Sequence, residues 1–299
     1  MARMSTSQME DAINGWVECL NQDKLHELST YILPSHFRNN TEFTLDTYAK
    51  FISEGGVGES LHPYNGVNVA KDTKWRWSID DMKADHEAQC LWANVVIRGE
   101  VTLRPGTVAP EAVRKELILV EHSFFWFYNG KIMRHEFVLD GEGLKAQLSE
   151  PCQMTTLDSI GSAPIPPTDD ELKLSREEIE NTYRRYIAQI NARHLDSALS
   201  VDFWHSNIVH NGKQVTLDDF RDALERFFSD ITNLNSDLRV IIVDEEKQRA
   251  HVHIKASGRI NGHFVSIKDN ITYQFFNGRI MRAWQFLDTA DLQRQLSAD

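Results

Sequence analysis

The stretch Tyr128-Asn129-Gly130-Lys131-Ile132-Met133-Arg134 is written almost unchanged a second time, as Phe276-Asn277-Gly278-Arg279-Ile280-Met281-Arg282. Each copy runs on to a Leu-Asp pair, Leu139-Asp140 and Leu287-Asp288, and then into a short helical run closing on Gln-Leu, at Gln147-Leu148 and Gln295-Leu296. A repeat of this kind is looked for first, because overlooking it mis-assigns the whole fold. Working back from these tails, the opening segments also match. Met9, Ile13, Trp16, Val17 and Leu20 fall on one face of a helix, and Ile179, Tyr183, Tyr186, Ile187 and Ile190 repeat the spacing. Ser175 and Glu178 form a capping box ahead of the second run. Phe43-Thr44-Leu45-Asp46 answers to Val215-Thr216-Leu217-Asp218, each threonine placed to cap a helix that carries Tyr48 and Phe51, or Phe220 and Leu224, inward.

The chain of 299 residues therefore divides into two copies, 1–149 and 171–299. Between them the stretch 150–170 holds Pro151, Pro164, Pro166 and Pro167, half of the eight prolines, and reads as an extended linker with the boundary near residue 165. In each copy helices come first and strands last. The strands are expected near Trp75–Ile79, Ala88–Arg98, Glu116–Tyr128 and Lys131–Leu139, and near Leu238–Val243, Arg249–Ser257, Phe264–Phe276 and Arg279–Leu287. The Asn-Gly pairs make the last hairpin turns. The first copy carries extra loops around Gly55–Gly66 and Leu103–Ala112. This order reads as α+β, with helices on one face of each sheet.

Composition limits the function. Hydrophobic residues make up 41% and charged residues 25%, as in an ordinary globular protein. A net charge of −12 argues against nucleic acid as a partner. No apolar run reaches a membrane span, and Met1 to Glu10 lacks the apolar core of a signal peptide, so no membrane partner and a cytoplasmic location are expected. Cys19, Cys90 and Cys152 are widely spaced and odd in number, which points to buried thiols rather than disulfides or zinc. There is no Gly-x-Gly-x-x-Gly, Walker-type loop or Gly-x-Ser-x-Gly elbow.

Tyr31-Ile32-Leu33-Pro34-Ser35-His36-Phe37 resembles the segment that follows the first helices in SnoaL-like polyketide cyclases. The ending, Asn-Gly-Lys/Arg-Ile, a strand, Asp and a Gln-Leu helix, resembles their C-terminal end. Both halves thus resemble the SnoaL-like branch of the nuclear-transport-factor-2-like superfamily. The resemblance implies two cone-shaped half-barrels, each a curved sheet around helices with a pocket at its wide end. It also implies a pseudo-dimer of the two copies; the aromatic strands around Trp126/Tyr128 and Trp284/Phe286 read either as its contact or as ordinary core. It implies acid–base chemistry without a cofactor or metal, on a small-molecule substrate. The family's catalytic aspartate falls on Phe137 and Gln285, and its assisting histidine on Ser123 and Ile271, so that pair is absent from both copies.

Other groups stand nearby. Glu121 and Asp269 occupy equivalent positions, and His135 lies two residues before Phe137. Whether Glu121 and His135 share a face depends on a bulge at the hairpin. His205 is expected at the pocket mouth, and His210, His251, His253 and His263 are further candidates. His251 and His253 share one strand face, as a metal pair lacking a third ligand or as a solvent-facing stripe. Tyr31, Trp92, Phe137 and Tyr273 are candidates for shaping an apolar pocket. Two functions follow. The first is a cofactor-independent isomerase, cyclase or dehydratase of polyketide- or terpenoid-type metabolites. Glu121 or Asp269 is its base, His135 or His205 the partner, and Gln285 a hydrogen-bond donor to an oxyanion. The second is a binding or assembly module that turns nothing over.

Overall fold

The computed structural model describes residues 3–59, 61, 73–103, 113–148 and 172–297. The chain divides into two compact units, Met1–Ser159 and Ile160–Asp299. The division falls within the stretch 150–170, which lies outside the described residues, as do the loop positions 62–66 and 104–112.

The first unit opens with α1 (Thr6–Asn21) and a 3-10 turn (Leu25–Thr30). Then come β1 (Ile32–Arg38), β2 (Thr41–Thr44), α2 (Leu45–Ser53) and the short α3 (Gly56–Glu59). Four long strands follow: β3 (Trp75–Asp85), β4 (Cys90–Leu103), β5 (Val113–Tyr128) and β6 (Lys131–Leu139). The unit closes with α4 (Gly141–Leu148). The second unit repeats this order: α5 (Arg176–Asn191), α6 (Leu195–Ala198), β7 (Trp204–His210), β8 (Lys213–Thr216) and α7 (Leu217–Asp230). Its long strands are β9 (Thr232–Asp244), β10 (Arg249–Ile260), β11 (His263–Phe276) and β12 (Arg279–Leu287), before α8 (Thr289–Leu296).

Each unit has one six-stranded sheet, in the orders β2-β1-β6-β5-β4-β3 and β8-β7-β12-β11-β10-β9. Pairing is antiparallel except for β1 with β6 and β7 with β12, so both sheets are mixed. The α+β expectation and its two-copy form hold. The short strands β1, β2, β7 and β8 were not among the strands expected. Pro34 marks β1 as irregular in the sequence, and its pairing with β6 does shift register between Ile32 and Phe37. The strands β3 and β9 run past their expected ends into polar sequence, because both lie at a sheet edge where one side needs no partner.

The helices form where capping and periodicity place them. Ser5 and Ser175 cap α1 and α5, each with its capping box complete, and Thr44 and Thr216 cap α2 and α7. Met9, Ile13, Trp16, Val17 and Leu20 are buried on α1, as are Ile179, Tyr183, Tyr186 and Ile190 on α5. The Trp16 indole lies 5.8 Å from Trp77 on β3 and 5.7 Å from the His135 ring on β6. In a flat sheet these strands would stand about 14 Å apart, so the sheet curls around α1.

Side-chain amides tie the helices to the strands in the same way in both units. Asn21 accepts from the Trp77 amide at 2.7 Å and donates to its carbonyl at 2.8 Å; Asn191 does the same at Ser236 with 2.8 and 3.0 Å. The repeated Gln-Leu ending has the same explanation. Gln147 holds both backbone groups of Ile118 at 2.8 and 2.7 Å, and Gln295 holds those of Ser266 at 2.8 Å each. Gln147→Leu leaves the Ile118 amide and carbonyl without these partners. It is expected to lower stability by about 1–3 kcal/mol, read as a fall in the urea midpoint.

At the last hairpins Asn129 and Gly130 have φ of 49° and 77°, and Asn277 and Gly278 have 47° and 76°. Two left-handed residues in a row make the tight turn that Asn-Gly favours. The bulge sits farther in. Phe127 pairs with Ile132 and Trp126 with Arg134, which leaves Met133 over; Phe275 pairs with Ile280 and Gln274 with Arg282, which leaves Met281 over. One extra residue reverses the facing of all that follows. It sets His135 opposite Phe125 and Phe137 opposite Ser123, and it sets Ala283 opposite Tyr273 and Gln285 opposite Ile271.

Candidate functional site

The helix-facing side of each sheet carries the polar groups of interest. In the first unit β5 supplies Glu121, Ser123 and Phe125, β6 supplies His135 and Phe137, and β1 supplies His36 and Arg38. Arg38 Nη2 lies 3.0 Å from Glu121 Oε1, with the two side chains only 9% and 4% exposed. The guanidinium also lies over the Phe137 ring, 4.1 Å from its centroid. Burial raises the Glu121 carboxyl above its ordinary range and Arg38 pulls it back. Glu121 Oε2 has no hydrogen-bond partner.

Glu121 and His135 share this face yet do not bond to each other. His135 Nε2 lies 3.0 Å from Ser123 Oγ, and its ring stacks on Phe125 at 4.2 Å. His36 is buried with both ring nitrogens unpartnered, its ring against Tyr48 at 4.9 Å. Burial, with Arg38 adding to it, lowers the His36 pKa to about 4. The space between Trp16, His36, Arg38, Tyr48 and His135 amounts to about 10 Å³, room for one water.

In the second unit the same positions hold different chemistry. Asp269 lies on β11 in a row with Ile254 of β10 and Leu287 of β12. Its Oδ2 accepts from Gln285 Nε2 at 2.8 Å, while its Oδ1 is buried with no hydrogen-bond partner among the described residues. Gln285 Oε1 lies 3.3 Å from His210 Nε2. Burial raises the Asp269 pKa to about 7, against the pull of the Gln285 hydrogen bond. His210 is lowered by burial, with Gln285 opposing. Beyond Asp269 lie Tyr183 and Tyr186 of α5 with Tyr273 of β11, ring centroids 5.2–6.2 Å apart, and Trp204 packs on Tyr186 and Tyr273. Burial raises all three tyrosines, and the Tyr273 side chain reaches the Tyr183 and Tyr186 hydroxyls.

The structure thus brings together Asp269, Gln285, Tyr273 and His210 of the expected residues, and it adds Tyr183 and Tyr186. Gln285 donates its amide to Asp269 rather than offering it to a ligand oxyanion. His205 stands apart, its Nε2 2.8 Å from the Phe276 carbonyl. Trp92 is opposite Phe124, on the side of the sheet away from α1, with its Nε1 3.0 Å from His122; it lines no interior space with Phe125 and His135. Tyr31 lies against α1 at Gly15, where a Cβ would come within 2.3 Å of its ring, so a larger residue there would have to displace that ring. Phe137 lies beneath Arg38. His251 and His253 do share a strand face, but both are buried rather than solvent-facing, bonded to Thr272 at 2.9 Å and Asn270 at 2.6 Å. Cys19 and Cys90 are free and buried, and burial raises both thiols; Cys152 lies outside the described residues. Among the described residues no three His, Cys, Asp or Glu side chains are grouped to hold a metal, and no helix is long and apolar enough to cross a membrane.

Arg38 and His210 are the residues that sequence reasoning undervalued. Aligning the two copies on Phe43-Thr44-Leu45-Asp46 and Val215-Thr216-Leu217-Asp218 places them in register, each just before the turn that leads to the capped helix.

The raised Asp269 pKa has a consequence for stability. Between about 4, the ordinary aspartate value, and 7, the folded second unit holds a proton that the unfolded chain releases. Its contribution is complete below about pH 4 and is lost as pH rises through 7. Urea unfolding of the second unit is expected to become easier between pH 5 and pH 8, by up to about 3 kcal/mol from this group. Asp269→Asn should remove that part of the dependence.

Residues 180–296 match the family model described as SnoaL-like polyketide cyclase. Solved structures of similar fold include a SnoaL-like polyketide cyclase from Agrobacterium tumefaciens, 26% identical over 40% of this chain and 98% of that one, with a TM-score of 0.37. TsrD from Streptomyces laurentii is 22% identical over 42% and 99%, with a TM-score of 0.36. PrhC from Penicillium brasilianum is 14% identical over 41% and 90%, with a TM-score of 0.36. No curated protein matches the chain.

Proposed function

We propose, from the premise that the chain is a tandem pair of SnoaL-like units with the family match on the second, that the second unit transfers protons on a small, largely apolar carbonyl metabolite without a cofactor. Polyketide- or terpenoid-type scaffolds are the substrate class that the family match suggests. The observation that carries the reading is the Asp269 carboxyl: buried, raised to about 7, held through one oxygen by Gln285 and unpartnered at the other. A base with a pKa near neutral is both ionised in useful amount and able to return the proton.

In this reading the carboxylate Oδ1 takes a proton from the carbon next to a carbonyl. The C–H electron pair becomes the enolate, whose oxygen accepts a hydrogen bond from the Tyr183 hydroxyl. Returning the proton to a different carbon isomerises the substrate. Attack of the enolate carbon on a second carbonyl closes a ring, with the proton passing to the new alkoxide. The first unit takes no part in the chemistry in this reading, since its equivalent carboxyl is tied to Arg38.

The burial of Tyr183, Tyr186, Tyr273 and Trp204 in the second interior favours one other reading, a binding or assembly module. Hydrogen exchange distinguishes the two. With β-tetralone as probe in D2O, the wild-type chain should accelerate loss of the α-hydrogens, followed by proton NMR, and Asp269→Asn should not. Equal rates for the two proteins would leave only the binding reading.

A further inference from the structure

We propose that His210 is a positioning residue. Through the Gln285 amide it fixes which oxygen of Asp269 is held and leaves Oδ1 facing the interior. The inference rests on the proton-transfer reading of Asp269. It starts from the amide itself: Gln285 Nε2 donates to Asp269 Oδ2 at 2.8 Å, so its other end, Oε1, is an acceptor and requires a donor. His210 Nε2 is at 3.3 Å from that oxygen. The ring therefore carries its proton on Nε2. Were the proton on Nδ1, two acceptors would face each other, and turning the amide over would relieve that contact only by setting its oxygen against the carboxylate.

The two residues in sequence, His210 and Asn211, hold the two parts of Gln285. Asn211 Oδ1 accepts from the Gln285 backbone amide at 2.7 Å, Asn211 Nδ2 donates to its carbonyl at 3.1 Å, and the Asn211 amide reaches the Ala283 carbonyl at 2.9 Å. The first unit keeps the backbone part of this arrangement. Asn39 accepts from the Phe137 amide at 2.9 Å, and its own amide reaches the His135 carbonyl at 2.7 Å. The side-chain part is replaced: Arg38 stands at the place of His210, Phe137 at that of Gln285, and the cation meets Glu121 directly at 3.0 Å. One scaffold thus carries two settings of an interior carboxyl, a direct ion pair and an uncharged relay. The residue just ahead of the clamping asparagine selects between them.

The groups facing this relay are few. His210 packs against Phe220 of α7 at 5.1 Å. The titratable neighbours of Asp269 are Tyr183 and Tyr186 from α5 and Tyr273 from β11. β10 and β12 place Ile254 and Leu287 beside it. The core side chains that α7 contributes, Leu217, Phe220, Leu224 and Phe228, are uncharged, as is Leu238 of β9.

Two NMR measurements on the full chain test the inference. Long-range nitrogen–proton correlation of the wild-type imidazoles should show His210 neutral at pH 7.5 with its proton on Nε2; a proton on Nδ1 alone overturns the relay, and this needs no variant. The Asp269 carboxyl carbon is then titrated in His210 variants. His210→Phe should raise its midpoint by about half a pH unit or more, and His210→Gln, which keeps a donor, should bring it back toward the wild-type value. His210→Arg should lower it, by analogy with Arg38. A midpoint that ignores His210→Phe in a folded protein defeats the positioning role and leaves the base in place. A wild-type Asp269 that titrates as an ordinary carboxylate defeats the proton-transfer reading whatever the tautomer.

Discussion

Asp269→Asn is expected to slow α-hydrogen exchange of β-tetralone by about 10²–10⁴-fold at pH 8, the range that a positioned general base contributes. The substitution is nearly isosteric, and the asparagine oxygen can still accept from Gln285 Nε2, so the interior keeps its packing and hydrogen bond. Only the ability to accept a proton from carbon is lost. Because burial raises Asp269 to about 7, the wild-type rate should climb through that pH and level off, while the variant shows no such step. Glu121→Gln should leave the rate within a few-fold of wild type, since the first-unit carboxyl is engaged by Arg38. A rate lost with Glu121 and kept without Asp269 would place the chemistry in the wrong unit.

Arg38→Met is expected to destabilise the first unit by about 3–5 kcal/mol. Arg38 and Glu121 are 9% and 4% exposed, and removing the cation leaves a carboxyl in the interior whose Oε2 already lacks a partner. It also removes the guanidinium from the face of Phe137. The double substitution Arg38→Met with Glu121→Leu should recover most of the loss, because an apolar pair of similar volume is often neutral or better than a buried ion pair. Urea unfolding of the single and double variants reads this directly. A single variant as stable as wild type would mean that the pair is solvated and the interior is not dry.

The tandem α+β architecture was legible because its signals are local and occur twice. The Asn-Gly turns, the Thr caps and the helix faces of Trp16 and Tyr186 each follow from a few adjacent residues. The short strands β1 and β7 were not legible. Pro34 and the polar run His205-Ser206-Asn207 lack alternation, and these strands exist because β6 and β12 offer them an edge from far along the chain. The site was half legible. The equivalence of Glu121 and Asp269 followed from the repeat, but their partners did not, since a one-residue bulge at Met133 and Met281 decides which side chains face the helices. That bulge turns Gln285 toward Asp269, and no composition or spacing announces it. Glu121 and His135 each take another partner, Arg38 for the carboxylate and Ser123 for the imidazole.

The central claim is that one carboxyl in the second unit exchanges protons near neutral pH, and its own titration tests this most directly. The chain is labelled with carbon-13 at aspartate carboxyls, and the Asp269 signal is assigned by its loss in Asp269→Asn. A midpoint near 7 is the predicted result. A midpoint near 4, the value of a solvated aspartate, would contradict it.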